Sequence, residues 1–573
     1  MRDLCRRVKC HLVFTGALFV AACSSPAPST PPMTTDPPAM LDAKAAQYAP
    51  VAISADVSAL PAGEQRALAH LVQAAQLFDG LFLQQVWSGN AALLNALASD
   101  RSAAGRAQLH YFLINKGPWD RLDHNTPFVT GALAPLFPAA KPPQASFYPS
   151  DATKEEVEKW IAGLTGDAKT QATAFFTVVR RGTGGRLMTV PYSVEYQNVL
   201  AEAAAHLRHA AEATSQPTLK KYLSSRADAF LSNDYFASDI AWMELDASLE
   251  PTIGPYETYE DEWFGYKAAF EAFIAVRDDV ETKKLGAFGG ELQGLENALP
   301  IDPAYRNPKI GALAPIRVVN VLFTSGDANR GVQTAAFNLP NDDRVIREKG
   351  AKRVMLKNVQ QAKFDKVLTP IASVALTAAD RASVTFDAFF THILMHELMH
   401  GLGPHQVKGS NQAVRLALKD TYSAIEEAKA DISGLWAMQQ LVDKGTIPAE
   451  TGKAMYRTFL ASCFRSIRFG LNEAHGKGIA LQLNHFLDQG AVIVNADGTF
   501  SVVDAKIKDA VISLTRQTMT IEAEGNYTAA QELLKKMVVL RPEVQRVLDK
   551  LKDVPIDIEP DFTSAKTLLT QAR

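Results

Sequence analysis

The stretch His396-Glu397-Leu398-Met399-His400 constrains this chain more than any other. Its two imidazoles share a face only if the segment is an α-helix, because residues four apart in a helix lie one above the other. Glu397 is then one step around, within reach of a water on whatever ion the histidines hold. Imidazole nitrogen suits Zn2+, and three protein ligands with one open position leave room for chemistry. The segment therefore asks for a third ligand. The extended pattern H-E-x-x-H-x-x-G-x-x-H fits at Gly403 but fails at its end, where Gln406 stands and His405 falls one short. A second helix is the other source. Residues 423–438, SAIEEAKADISGLWAM, offer Glu427 as the carboxylate ligand and Asp431, one turn later on the same face, as acceptor for the distal nitrogen of a ligating histidine. Glu426 is a further carboxylate at this site, while His392, one turn before His396, reads as a packed core residue. ILMHELM and ISGLWAM are apolar enough for core helices, and charges buried in a core are paired or metal-bound.

The amino terminus speaks for export. Arg2, Arg6, Arg7 and Lys9 precede LVFTGALFVAAC, an apolar run too short for a permanent span but right for the core of a secretory signal. Val20-Ala21-Ala22-Cys23 looks like a bacterial lipobox, with Cys23 as the lipidated first residue of a protein held on the periplasmic side. Ser24 after it favours the outer membrane by resemblance to sorted lipoproteins. Cys5 and Cys10 are then removed, and Cys463 is the one thiol left in the mature chain, so no intrachain disulfide is expected. Cys463, in FLASCFRSI, reads as a small buried apolar residue.

Residues 24–60 are rich in Pro, Ser, Thr and Ala and are expected to be a flexible tether. EQRALAHLVQAAQLFDGLFLQQVW then repeats apolar residues at helical spacing, and helical patterns fill residues 61–240. In residues 241–380 EAFIAVRDD, IRVVNVLFT and KRVMLKNV are short, β-branched or aromatic, and bounded by turn residues, which predicts strands. Helical patterns return in residues 381–573. The fold expected is α+β, two-lobed, with a mainly helical catalytic lobe and a second lobe containing a small mixed β-structure. A net charge of −3 with acids and bases interspersed shows no basic stripe, which argues against nucleic acid as a partner.

HELMH followed by EEAKAD resembles the dipeptidyl peptidase III family of zinc exopeptidases, whose usual motifs are HELLGH and EECRAE. Here the pentapeptide replaces the hexapeptide, and Asp431 stands for the final Glu. IGPYETYEDEWFGYKAAFEAFIAV, from Ile253, is similar to the family segment near the substrate amino terminus, and so implies Glu257 as a substrate-binding carboxylate and Tyr259 as a catalytic hydroxyl. FNLPND is similar to INIPNYDD and implies Asn338 and Asn341 as substrate-binding amides. NEAHGKGIALQLNHFLDQGAV resembles the segment with a catalytic histidine, which falls on His475. The resemblance spans roughly residues 65 to 500. The family's basic residue shortly after that histidine is unmatched, since Ile479 occupies its place, and its C-terminal arginine region finds no counterpart. EEAKAD with the glycine-rich HGLGPH also resembles the peptidase-like domain joined to Nudix hydrolases in plants, although the chain holds no Nudix box.

The resemblance implies one Zn2+ per chain on His396, His400 and Glu427, with Glu397 as general base and short peptides as substrates. The membrane is met only through the lipid at Cys23. Two other functions remain: a zinc hydrolase of this fold with other peptide specificity, and a peptide-binding lipoprotein without catalysis. The intact Glu397 argues against the last, because capture needs no base.

Overall fold

The helix Ala62–Val86 runs 25 residues, and its side chains are buried around most of its circumference, Leu68, Leu71, Phe78 and Phe82 among them. It is thus the axis of a core rather than a surface helix. In this computed structural model, which describes residues 38–310 and 315–571, the buried apolar residues fall into two cores. The first gathers on Ala62–Val86, Gln197–Ala213 and Pro217–Ser232, and the second on the helices between Phe386 and Lys550. These are the two lobes of an α+β fold, and the helical one carries HELMH.

A five-stranded mixed sheet lies where the cores meet. Its order is Thr252–Glu257, Ala269–Arg277, Ile316–Gly326, Lys352–Leu356, Ala336–Leu339, antiparallel except for the parallel pair Ile316–Gly326 and Lys352–Leu356. The three strand segments predicted from sequence are its middle strands. Val319, Val321, Leu322 and Val354 belong to the first core, while Ile316, Val318 and Met355 belong to the second. The sheet therefore does not form a separate lobe over residues 241–380: Val359 and Ala362 of Lys357–Lys363 pack with the first core, and the helical turns from Phe364 to Ala375 pack with the catalytic core.

The tether expected over residues 24–60 ends earlier than composition suggested. Pro38–Ala45 is a helix, and Tyr48–Ile53 is a strand paired in parallel with Asp557–Phe562, near the other end of the chain. Leu41, Tyr48 and Ile53 are buried. A partner some five hundred residues away supplies the hydrogen bonds that a local reading cannot see. Likewise the helical regions contain small hairpins, Thr177–Arg181 with Leu187–Pro191 and Val492–Val494 with Phe500–Val502. The signal, lipidation and first tether residues, Cys23 included, lie outside the described residues. Among the described residues no helix is long and apolar enough to cross a membrane. Cys463 is buried and free, as its sequence context predicts.

Candidate active site

Three helices build the site. Phe386–Met399 starts at Thr385, whose hydroxyl accepts from Ala388 N, and ends in His400 and the glycine-rich HGLG turn, where Gly403 takes φ +80°. Tyr422–Asp443 crosses it closely because Gly434 stands where a Cβ would come within 3.2 Å of His396 N. Ala474–Asp488 approaches the same helix at Gly478, whose Cβ would meet Ala428 N at 3.0 Å. These small residues let EEAKAD reach HELMH from one side and His475 reach Glu427 from the other.

His396 Nδ1 lies 2.8 Å from Asp431 Oδ1, and His400 Nδ1 lies 2.8 Å from Glu426 Oε1. Each carboxylate fixes the Nδ1–H tautomer, which turns an Nε2 lone pair inward. The two Nε2 atoms face each other at 3.1 Å. Two lone pairs repel at that distance, so a proton or a cation is needed between them. Glu427 Oε2 completes the triangle, 3.4 Å from His396 Nε2 and 3.9 Å from His400 Nε2, buried and accepting no hydrogen bond of good geometry. Donors about 2.0–2.1 Å from a tetrahedral Zn2+ stand about 3.3 Å apart, so the trio fits that ion in chemistry and spacing. Electrostatics agree. Burial alone would depress the basicity of His396, yet Asp431 lifts its pKa to about 9. Glu427 is held below the usual carboxylate range, because the imidazoles of His475, His396 and His400 outweigh its burial.

Lys429, between Glu426 and Asp431 on the same helix, is fully buried. Its ammonium pairs with Glu426 Oε1 at 2.8 Å and donates to the carbonyls of Met399 and Leu402 at 3.1 and 3.3 Å. It thereby satisfies the C-terminal end of the HELMH helix, where carbonyls lack partners. Burial opposes its charge, but Glu426 and Glu522 outweigh that and raise its pKa. Glu522, buried beside Glu426, has its pKa raised well above the usual range by desolvation. Lys429→Ala leaves Glu426 charged and uncompensated in the core. The expected loss is about 3–5 kcal/mol, read as a lower urea midpoint than that of wild type.

Glu397 points into the cleft and lines two joined cavities of about 540 and 470 Å3. The larger runs along His392, His396, Arg465 and His475; the smaller holds Glu257, Tyr259, Asn338 and Asn341. His475 is 64% exposed, with Nδ1 3.1 Å from Glu427 Oε2, so it meets both the trio and the cleft. Tyr259 is 71% exposed on the rim. Glu257 follows an irregularity at Tyr256, where the pairing with Ala269–Arg277 shifts register. A bulged residue leaves its carbonyl outside the ladder. Asn341 Nδ2 donates to the Tyr256 carbonyl at 2.8 Å, which fixes the Glu257 end of the strand and leaves the Asn341 amide oxygen available. Asn338 is exposed on Ala336–Leu339, directly across from Arg353.

Several site residues escaped the sequence reading. Glu271 and Asp327 line the same cavity as Glu257, with Arg330 among them. Burial and the Asp327 carboxylate push the Glu257 pKa up to about 7, against the pull of Arg330, and burial with Glu257 raises that of Glu271 well above the usual range. Arg353 Nε lies 4.0 Å from Glu397 Oε2 and has no hydrogen-bond partner; Arg465, on the wall of the larger cavity, also has an unpartnered Nε. No spacing motif marks these residues, because strand pairing and helix crossing bring them together.

The model of Peptidase family M49 matches residues 161–440. The structure of dipeptidyl-peptidase III from Corallococcus sp. strain EGB is similar at 62% identity and a TM-score of 0.81, covering 94% of this chain and 99% of that one. The structure of DPP III from Caldithrix abyssi is similar at 45% identity and a TM-score of 0.88, covering 91% of this chain and 99% of that one. Nudix hydrolase 3 of Arabidopsis thaliana is 43% identical over 571 residues, 91% of this chain and 74% of that protein. With HELMH, EEAKAD and the cleft between the lobes as described, this chain is a peptidase and belongs to the dipeptidyl-peptidase III family.

Proposed function

We propose that this peptidase is a zinc-dependent exopeptidase that releases dipeptides from the free amino termini of short peptides. The observation that carries the reading is the facing pair of Nε2 atoms beside the unpartnered Glu427 Oε2, set under Glu397 in a cleft whose other end gathers carboxylates. Zn2+ held by His396, His400 and Glu427 would lower the pKa of a bound water toward ~7 and polarise the scissile carbonyl. Glu397 takes the proton of the attacking water and passes it to the leaving amine. Arg353 is the nearest cation to Glu397, 4.0 Å away. His475 and Tyr259 would donate to the oxygen that gains charge, each such donor being typically worth ~2.7–4 kcal/mol.

Specificity follows from the carboxylate end. Glu257 accepts the α-ammonium of the substrate, with Asn338 and Asn341 pairing the backbone beside it, and a blocked amino terminus leaves those groups unpaired. Arg465 lines the larger cavity, where the carboxyl end of a short peptide would lie. The test is mass spectrometry of free and N-acetylated peptides after incubation with the zinc-loaded protein. Dipeptides from the free peptides alone are expected; internal cuts, or equal cutting of both sets, would discard the ammonium clamp.

Charge supplies a second test. Glu257 binds an ammonium as the carboxylate, and its pKa of about 7 lies well above the ordinary value. Lowering the pH through 7 protonates it, so KM for free peptides rises on the acid side. Glu257→Gln flattens that rise, and an unchanged pH profile of KM in the variant would remove Glu257 from the clamp. Export by the segment 1–23 and a lipid anchor at Cys23 complete the proposal, placing the enzyme on the periplasmic side of the outer membrane; these rest on the sequence pattern alone.

A further inference from the structure

Away from the cleft, three histidines meet on the first lobe. His70 comes from Ala62–Val86, while His206 and His209 come from Gln197–Ala213. The helices pack together and carry small buried residues into the shared core, Ala67 and Ala74 on one, Ala203 and Ala210 on the other. Small side chains let backbones come close enough for histidines on both helices to meet. His206 and His209, three apart, lie on one helical face.

The ring centroids of His70 are 5.9 Å from those of His206 and 5.1 Å from those of His209, and one ring nitrogen from each residue lies within 4.8 Å of the other two. His70 Nδ1 pairs with Gln73 Oε1 at 3.1 Å. Because an amide oxygen only accepts, this pairing puts the proton on Nδ1 and leaves Nε2 with its lone pair, the orientation that an outer hydrogen bond gives a ligating histidine. His206 Nδ1 is buried without a partner, and a buried polar nitrogen left unpaired marks a missing contact.

We propose that His70, His206 and His209 form a second metal site, apart from the cleft, for a divalent transition ion of the imidazole-binding class. All-nitrogen donors select Zn2+ or Cu2+ over Ca2+ and Mg2+, which take oxygen. Drawing the donors in to the spacing of about 3.3 Å that a tetrahedral ion needs takes modest rotation of side chains that are only partly buried. The site takes no part in peptide cleavage.

The test compares the intact protein with His206→Ala/His209→Ala after equilibrium dialysis against micromolar ZnCl2, with metal counted by plasma mass spectrometry. Wild type is expected to hold one zinc per chain more than the double variant, with Mg2+ and Ca2+ in excess unable to displace it. Equal zinc in both proteins would overturn the site. His209→Ala alone alters an exposed residue and keeps the question open to experiment should the double variant misfold. In a Glu427→Ala background, which disables the cleft, ZnCl2 should raise the Tm through binding to the folded state, and His209→Ala should abolish that rise. A rise of equal size with and without His209 would contradict the proposal.

Discussion

Glu397→Ala loses peptide cleavage while keeping its metal. A positioned general base contributes about 10²–10⁴-fold to a rate, and Glu397 is the carboxylate that faces both cavities beside the trio. At about 1.36 kcal/mol per decade this is about 2.7–5.4 kcal/mol of transition-state stabilisation. The loss falls on kcat, since Glu397 is not a ligand and the clamp lies elsewhere. The nearest charge, Arg353 Nε, stands 4.0 Å away and makes no hydrogen bond to it. Glu397→Ala should carry the wild-type zinc, because the ligand trio is intact. A variant that loses cleavage and zinc together would mean that Glu397 holds the ion, contrary to the role assigned.

Glu427→Ala gives the complementary result, loss of zinc and of cleavage at once. The residue brings the one oxygen of the trio, and its Oε2 is the atom left without a hydrogen bond. Removing an outer partner of a ligating histidine typically weakens a metal by about 10–100-fold; removing a ligand should exceed that. The two imidazoles alone, held by Asp431 and Glu426, make a weak site. The zinc content should fall by one equivalent relative to wild type, and added zinc should not restore the rate. Full zinc in Glu427→Ala would remove it from the coordination sphere.

The part of this site that sequence makes legible is the part with a local period. HELMH has its histidines one helical turn apart, EEAKAD has Glu427 and Asp431 at the same spacing, and both segments are apolar on their other faces. That pattern specifies a helix, a face and a ligand set within a few residues. The burial of Lys429 is not legible for the same reason: spacing shows which face a lysine takes but not that the end of another helix lies against that face. Arg353 reaches Glu397 because Lys352–Leu356 pairs with Ile316–Gly326, and Arg465 reaches the cleft because Ala449–Ile467 lies against the HELMH helix. Neither partner is near in sequence. The tether boundary failed likewise, since PAMLDAKAAQYAPVAI is poor in large apolar residues, yet Leu41, Tyr48 and Ile53 are enough once Asp557–Phe562 supplies the adjoining strand. The mixed sheet and helical lobe were legible as elements; the division of the sheet between two cores was not, because one strand serves both through alternate side chains.

The most direct measurement is a crystal structure of the zinc-loaded protein with anomalous data collected on both sides of the zinc edge. The account predicts a peak in the cleft within about 2.0–2.2 Å of His396 Nε2, His400 Nε2 and a Glu427 oxygen, with Glu397 beside it and outside the coordination sphere. A fully loaded crystal with no zinc peak among those three side chains would contradict it.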